Sequence, residues 1–410
     1  MKENKCRFCK NELKENFLDL GQSPLSNSFI KKKDLKKYEK KFPLHAFVCR
    51  YCLLVQLEEF QKPKKIFSEY AYFSSFSNTW VKHAEKYVEK MIKKYKFNQN
   101  STIIEIASND GYLLQFFLKK NIPILGIEPA KNVAQSAIKK GIPTIIKFFG
   151  QETAESISKD NKKGDLIIGN NVLAHVPDLN DFVKGLKILL KPNGIITLEF
   201  PHILKLIQKK QFDTIYHEHF SYFSFITIKK IFSHHDLTVF NVEKLTTHGG
   251  SLRIYVKHKE NKTNKITPKI KLLIEEEKNA GLHKISTYKI FQNEIIKNQI
   301  KIQKFFSSEN IKNKTIVGYG APAKGNTLLN FCEIDSKNIK FTVDKNPYKQ
   351  GMYLPGTHIP IKKPEKILQT KPDYILILPW NLKKEIIKEL SYVKKWKCKL
   401  ITLIPKIIIK

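Results

Sequence analysis

The chain has 410 residues, enough for two or three domains, and its 41% hydrophobic share is enough for ordinary cores. The formal charge of +35 is almost all lysine spread along the chain, with arginine only at positions 7, 50 and 253. Nucleic-acid sites lean on arginine for bidentate contacts, so this composition argues against a nucleic-acid partner and for attraction of small anionic substrates. No apolar run reaches the length of a membrane span, so no membrane partner is expected. Met1 to Lys10 lack a signal-peptide core, so a cytoplasmic location is expected.

The first 65 residues hold Cys6-Arg7-Phe8-Cys9 and Cys49-Arg50-Tyr51-Cys52. Two such pairs predict one tetrahedral zinc site with Cys6, Cys9, Cys49 and Cys52 as ligands. Four thiolates leave no open position, so the zinc is structural and supplies folding energy of about 10–16 kcal/mol. Two disulfides do not suit a reducing compartment. A redox pair would open a helix after a strand, and neither pair does. Next come aromatics and hydroxyls from Phe67 to Ser77, including Tyr70 and Tyr72. They suit a lid or a substrate wall, with packing between domains as the alternative.

From 100 to 200, short apolar runs alternate with helical segments. The runs are Ile103–Ile106, Ile124–Ile127, Thr144–Ile146, Leu166–Gly169 and Gly194–Phe200. This pattern predicts a doubly wound α/β domain with a parallel sheet. The first run ends in the turn Ala107-Ser108-Asn109-Asp110-Gly111, and the second ends at Glu128. Strand, turn, helix, strand and acid form the layout of a nucleotide-binding unit, the acid accepting two ribose hydroxyls. The G-x-G-x-x-G spacing is missing. Glu105 inside the strand and Asp110-Gly111 in the turn suit a positive sulfonium with an amino-acid tail better than a phosphate. Asn170, Asn171 and His175 follow the fourth run, where ligands of such sheets sit.

The densest polar cluster is Tyr216-His217-Glu218-His219. It can supply a general base, a partner that orients it and an oxyanion donor. In an extended stretch His217 and His219 would share a face, which also allows a metal, although no third ligand is evident. His248-Gly249-Gly250-Ser251-Leu252-Arg253 follows, with two glycines for close backbone approach. Residues 256 to 310 read as long solvated helices linking domains. From 311 the chain opens a second strand, glycine turn and helix. Amides near Gly320, with Lys324, could hold a diphosphate there, or the unit is a structural Rossmann-like repeat.

Taken together these motifs resemble the sugar C-methyltransferases of deoxysugar pathways. The turn after Ile106 resembles the acid-x-Gly-x-Gly-x-Gly loop of class I methyltransferases, with Ala107 and Asn109 at two of the glycine positions. The resemblance implies a zinc-binding module at 1–65, a class I methyltransferase domain at 66–300 and a second Rossmann-like domain at 301–410 that covers a nucleotide-sugar. It implies S-adenosylmethionine as cofactor, held by Glu105, Ala107, Asn109, Gly111, Glu128, Asn170 and Asn171, and one structural zinc ion. It makes His219 the base, with Glu218, Tyr216, His175 and Tyr70 or Tyr72 against a nucleotide-linked 4-keto-6-deoxy sugar. Arg253, Gly320 and Lys324 are expected to bind the same substrate, in a monomer or weak homo-oligomer. Methyl transfer to oxygen or nitrogen of another metabolite is one competing reading. A zinc-ribbon protein acting on RNA is the other.

Overall fold

In the computed structural model, which describes residues 4–60, 73–160 and 162–410, three sheets follow one another along the chain. The first is built from β1 (Glu15–Ser23), β2 (Phe42–Val48) and β3 (Val55–Leu57), paired antiparallel in that order. In β2 every second side chain (Phe42, Leu44, Ala46, Val48) is buried, as expected of a strand with one covered face.

The central sheet is laid down by β4 (Ile103–Ile106), β5 (Ile124–Ile127), β6 (Thr144–Ile145), β7 (Gly164–Asn170) and β8 (Leu190–Pro201), all parallel. β4 is buried along its whole length because helices cover both faces of such a sheet, which is why it reads as unbroken isoleucine with one acid. The expected strands are all present. The helix Leu179–Leu189, capped by Asp178, ends where β8 begins, at Leu190, ahead of the expected run Gly194–Phe200. β9 (Ser221–Tyr222) leaves this sheet and pairs with β3, Val55 opposite Tyr222 and Gln56 opposite Ser221. The hairpin of β10 (Leu237–Leu245) and β11 (Ser251–His258) returns, β11 running antiparallel to β8. The final order is β10-β11-β8-β7-β4-β5-β6. Connections diverge between β4 and β7, so a crevice opens at their carboxyl ends.

The third sheet consists of β12 (Ile316–Tyr319), β13 (Thr342–Val343), β14 (Ile361–Lys362), β15 (Tyr374–Ile377), β16 (Lys399–Thr402) and β17 (Ile408–Ile409). Its order is β14-β13-β12-β15-β16-β17, with only β17 antiparallel, so the crevice here lies between β12 and β15.

One expectation is corrected. The helix Ile285–Phe306 is not simply a solvated connector, because it buries Tyr288, Phe291, Ile295, Ile302 and Phe306. Phe291 stacks on Phe17 of β1 with ring centroids 4.9 Å apart. Lysines on its outer face hide this apolar stripe from a reading of charge runs. The boundary expected at 300/301 falls inside this helix. A continuous apolar core runs from Phe17 and Leu44 through Tyr288 and Ile295 to Leu328 and Leu376, so the first and third sheets share their packing. A second core joins Cys6 and Cys49 to Ile104, Ile167 and Phe200 of the central sheet. Among the described residues no helix is long and apolar enough to cross a membrane.

Candidate active site

The turn after β4 keeps a glycine-like path without the glycines. Ala107 and Asn109 both have left-handed backbones, at φ 56° and 51°, and Gly111 follows at φ 76°. Asparagine tolerates that region, while alanine there is strained. A Cβ on Gly111 would lie 2.1 Å from Ile142 Cδ1, so glycine is required at that position. Glu128 accepts hydrogen bonds from the Asn109 and Ala130 amides at 3.0 and 2.9 Å, which fixes the strand-end acid against the turn. Burial pushes its carboxyl above the usual range, and those two amides oppose the shift. Glu105 is wholly buried beneath the turn, with the Tyr112 side chain as the group that favours its carboxylate form. Burial drives its pKa well up. A buried acid beneath the turn and a second acid at the strand end fit a cationic ligand carrying a ribose.

The preceding segment closes over this turn. The Ser74 amide donates to Asn109 Oδ1 at 2.8 Å, and Ser75 bonds Asp110. Tyr70 and Tyr72 lie outside the described residues. The helix Asn78–Tyr95 then brings in Trp80, which stacks on Tyr112 at 5.9 Å and meets the edge of His248 at 5.5 Å. Asn170 reaches the Tyr112 hydroxyl at 3.4 Å and Asn171 reaches His248 Nε2 at 3.1 Å, so both sit at the crevice mouth.

The Tyr216–His219 stretch is a tight turn, not an extended strand. His219 Nδ1 lies 3.0 Å from the Thr214 carbonyl, which can only accept, so Nδ1 carries the proton. Nε2 is then the basic nitrogen, and it accepts the Tyr216 hydroxyl proton at 2.7 Å. His175 meets His219 edge to face at 4.7 Å, its Nδ1 donating to the Glu218 carbonyl at 2.7 Å. Burial drives the His219 pKa well below its ordinary value and that of His175 to about 4, so both are neutral at pH 7. Both rings are half-buried. The Glu218 side chain takes a hydrogen bond from Asn27 Nδ2 at 2.6 Å, and burial raises its pKa to about 7. His217 instead bonds the Pro43 carbonyl at 3.1 Å, with Phe42 beside it. The two histidines therefore serve different surroundings, and the shared-face metal arrangement does not form.

Arg253 has a different setting from the one expected. Its guanidinium is buried, bonded to Glu199 at 2.8 Å and facing Glu243 at 3.4 Å, over the Tyr87 ring at 4.5 Å. Its charge is already committed to internal partners.

The carboxyl end of β12 approaches the cleft from the third sheet. Gly320, at φ 87°, would place a Cβ 2.7 Å from Pro379 Cδ, so the turn needs glycine. Lys324 sits over Trp380 at 4.9 Å and donates to Asn381 Oδ1 at 2.7 Å. Burial lowers its pKa, and Asp213 opposes that shift. Trp380 ties Asp213 with an Nε1 hydrogen bond of 2.6 Å. The sequence holds no periodic signal for Asn27, Trp380 or Asn381, because Asn27 reaches the cleft from a loop and the other two from a single 3-10 turn, Trp380–Leu382.

The four cysteines converge. Their sulfurs all lie within 4.8 Å of one another, with Cys6–Cys52 and Cys9–Cys49 each 3.5 Å apart. A tetrahedral zinc with sulfur at about 2.3 Å spaces its ligands about 3.8 Å apart, so the set fits. Asn11 and Gln56 amides face Cys9 and Cys6 sulfurs at 3.3 Å, as donors to thiolates do. Both knuckles close the same way, with Lys10 at φ 62° and Leu53 at φ 64°. Among the described residues this is the one group of three or more possible metal ligands.

A family model described as "C-methyltransferase C-terminal domain" matches residues 246–405, a "zinc binding domain" model matches 6–67, and a "Methyltransferase domain" model matches 80–242. C-methyltransferase NovU of Streptomyces niveus is 32% identical over 384 residues, covering 94% of this chain and 91% of NovU. A ubiquinone biosynthesis O-methyltransferase of Pelagibacter ubique is 26% identical over 114 residues, 26% of this chain and 48% of that one. The solved magnesium protoporphyrin IX methyltransferase of Synechocystis aligns at TM-score 0.33 and 12% identity, over 43% of this chain and 78% of that one.

Proposed function

Because the chain belongs to the C-methyltransferase family, as an S-adenosylmethionine-dependent enzyme with a zinc-binding module, we propose that it methylates a carbon beside the ketone of a nucleotide-linked 4-keto-6-deoxy sugar, with C-3 as the position and His219 as the base. The observation that carries this reading is the line Thr214–His219–Tyr216. A carbonyl holds one ring nitrogen, leaving the other basic at the cleft.

Carbon methylation needs a carbon acid, and a hydrogen beside a ketone is acidic only if the enolate is stabilised. Neutral His219 accepts that proton at Nε2, and the electron pair moves toward the ketone oxygen. The Tyr216 hydroxyl, released from Nε2 as it takes the proton, becomes a donor for that oxygen. His175 and Glu218 orient the sugar, and Tyr70 or Tyr72 covers it. When bound, S-adenosylmethionine would supply a methyl group on a positive sulfur, the sulfur keeping the electron pair of the C–S bond as a neutral thioether. Glu105 lies beneath the loop that holds that charge, Glu128 takes the ribose, and Ala107, Asn109 and Gly111 shape the turn around the amino-acid tail, with Asn170 and Asn171 at its rim. Gly320 and Lys324 face the diphosphate. In this reading the units built on the first, central and third sheets act as zinc module, methyltransferase domain and substrate cover.

The test is product mapping. Thymidine-, guanosine- and cytidine-diphospho 4-keto-6-deoxy sugars are incubated with enzyme and a ¹³C-methyl donor, and products are read by NMR. Carbon-bound label supports the reading and names the nucleotide. Label on oxygen or nitrogen of another acceptor overturns it.

A further inference from the structure

We infer that Asn27 is a positioning residue for methyl transfer, acting from the loop between β1 and β2 to hold the Glu218 side chain across the junction of all three sheets. This rests on the proposed function for the role of Glu218. The hydrogen bond itself does not: Asn27 Nδ2 lies 2.6 Å from Glu218 Oε1.

The loop that carries Asn27 is anchored on both sides. Ser26 Oγ meets Thr327 Oγ1 at 3.3 Å, on the helix that follows β12. Ile30 and Tyr353 exchange backbone hydrogen bonds of 3.0 and 2.9 Å. Phe29 lies under the Lys349 ammonium at 5.1 Å. On the other side, Glu218 sits in the turn that leads into β9, which is paired with β3 of the same module. Pro43, at the start of β2, holds the neighbouring His217 at 3.1 Å. Asn27 is thus presented to Glu218 by a frame that spans the first and third sheets.

The choice of residue has a chemical reason. Glu218 is buried, and a buried carboxyl resists ionisation. An amide donor stabilises the carboxylate and fixes its direction without adding a full positive charge, so the proton can come and go near neutrality. The charged and titratable groups around Glu218 are Lys349 from the third sheet, which favours the carboxylate, His217 and His219 on its own turn, and His175 against its carbonyl. Lys349 is itself turned toward the Ala321 carbonyl at 2.9 Å and Asp344 at 3.9 Å, so Asn27 makes the closer contact.

Asn27→Leu removes the donor while keeping the branched shape, and Asn27→Asp places a second carboxyl there. The pH dependence of kcat/KM for methyl transfer is compared among wild type, both variants and Glu218→Gln, with zinc content and thermal unfolding as checks on folding. The limb that Glu218→Gln abolishes is expected to move up by about one pH unit in Asn27→Leu and further in Asn27→Asp. In both, kcat should fall more than KM rises. An unmoved limb with reduced amplitude, in either variant, overturns the inference. Infrared difference titration, with the Glu218 carboxyl band assigned by Glu218→Gln, gives the same shift without substrate. If no keto sugar is methylated by wild type, the substrate reading fails, while the band still decides Asn27: a rise supports it and an unchanged band overturns it.

Discussion

The Tyr216 hydroxyl lies 2.7 Å from His219 Nε2, across a ring whose Nδ1 is held by the Thr214 carbonyl. This pairing fixes one tautomer and points the basic nitrogen at the cleft. It also accounts for a base that is useful although its pKa is strongly depressed. Burial keeps the imidazole neutral, so there is no proton to shed before it can accept one.

Replacement of His219 by asparagine keeps a polar group near the Thr214 carbonyl and removes the base. Turnover is expected to fall by about 10²–10⁴-fold, the usual contribution of a positioned base. Affinity for S-adenosylmethionine, measured by calorimetry, should be unchanged because the cofactor turn is a separate contact set. Full turnover in this variant would remove His219 from the chemistry.

The pH profile follows from Glu218. Its carboxyl is raised to about 7 by burial, so it is protonated below that pH and ionised above. The ionised form is the one that accepts a hydrogen bond from the sugar, so kcat/KM is expected to fall as pH drops through about 7. His219 should add no limb near its ordinary value, since its folded pKa lies well below it. For stability the sign is the reverse. A carboxyl with a raised folded pKa stabilises when protonated, and that contribution is lost as pH rises through about 7. Glu218→Gln should remove the limb, and a profile unchanged in that variant would assign it elsewhere.

Arg253 is expected to matter for stability, not for substrate affinity. Arg253→Met leaves Glu199 buried with only His83 at 3.0 Å and Thr247 at 2.9 Å, and breaking a buried ion pair costs up to about 3–5 kcal/mol. Urea unfolding should show that loss, with KM for the sugar close to wild type. A large rise in KM at unchanged stability would return Arg253 to the substrate.

Zinc removal should reach the cleft. Arg7, inside the first knuckle, donates to the Pro177 carbonyl at 2.8 Å and the Leu57 carbonyl at 2.7 Å, and lies over the Phe220 ring at 4.9 Å. Pro177 and Phe220 are close neighbours of His175 and His219 in the chain. Chelation, or Cys49→Ser, is expected to release one zinc per chain, loosen β3 from β9 and abolish methyl transfer together with the fold of the first module. Metal analysis and circular dichroism would register this, and an apoprotein with full activity would contradict it.

Much of this architecture was legible in the sequence. The strands of the central sheet appear as isoleucine-rich runs because both faces are covered, and the cysteine pairs announce their own geometry. The loop at Ala107 and Asn109 was harder to read, since its usual glycines are absent while the backbone keeps their left-handed path. In the helix Ile285–Phe306, lysine on the outer face masks the stripe that meets Phe17. Asn27 could not be found from the sequence, since its partner lies 191 residues away and only the fold brings them together. The rarity of arginine at Arg253 carries no information about where its guanidinium points.

Solvent deuterium exchange tests the central claim most directly. Enzyme and a nucleotide-linked 4-keto-6-deoxy sugar are incubated in deuterated water without S-adenosylmethionine, and the sugar is followed by mass. Deuterium washed in beside the ketone, above a control without enzyme and absent with His219→Asn, is the result expected of a base that forms an enolate before methyl transfer. No exchange with any keto sugar, alongside methyl gain on another acceptor, would contradict it and leave His219 without its proposed task.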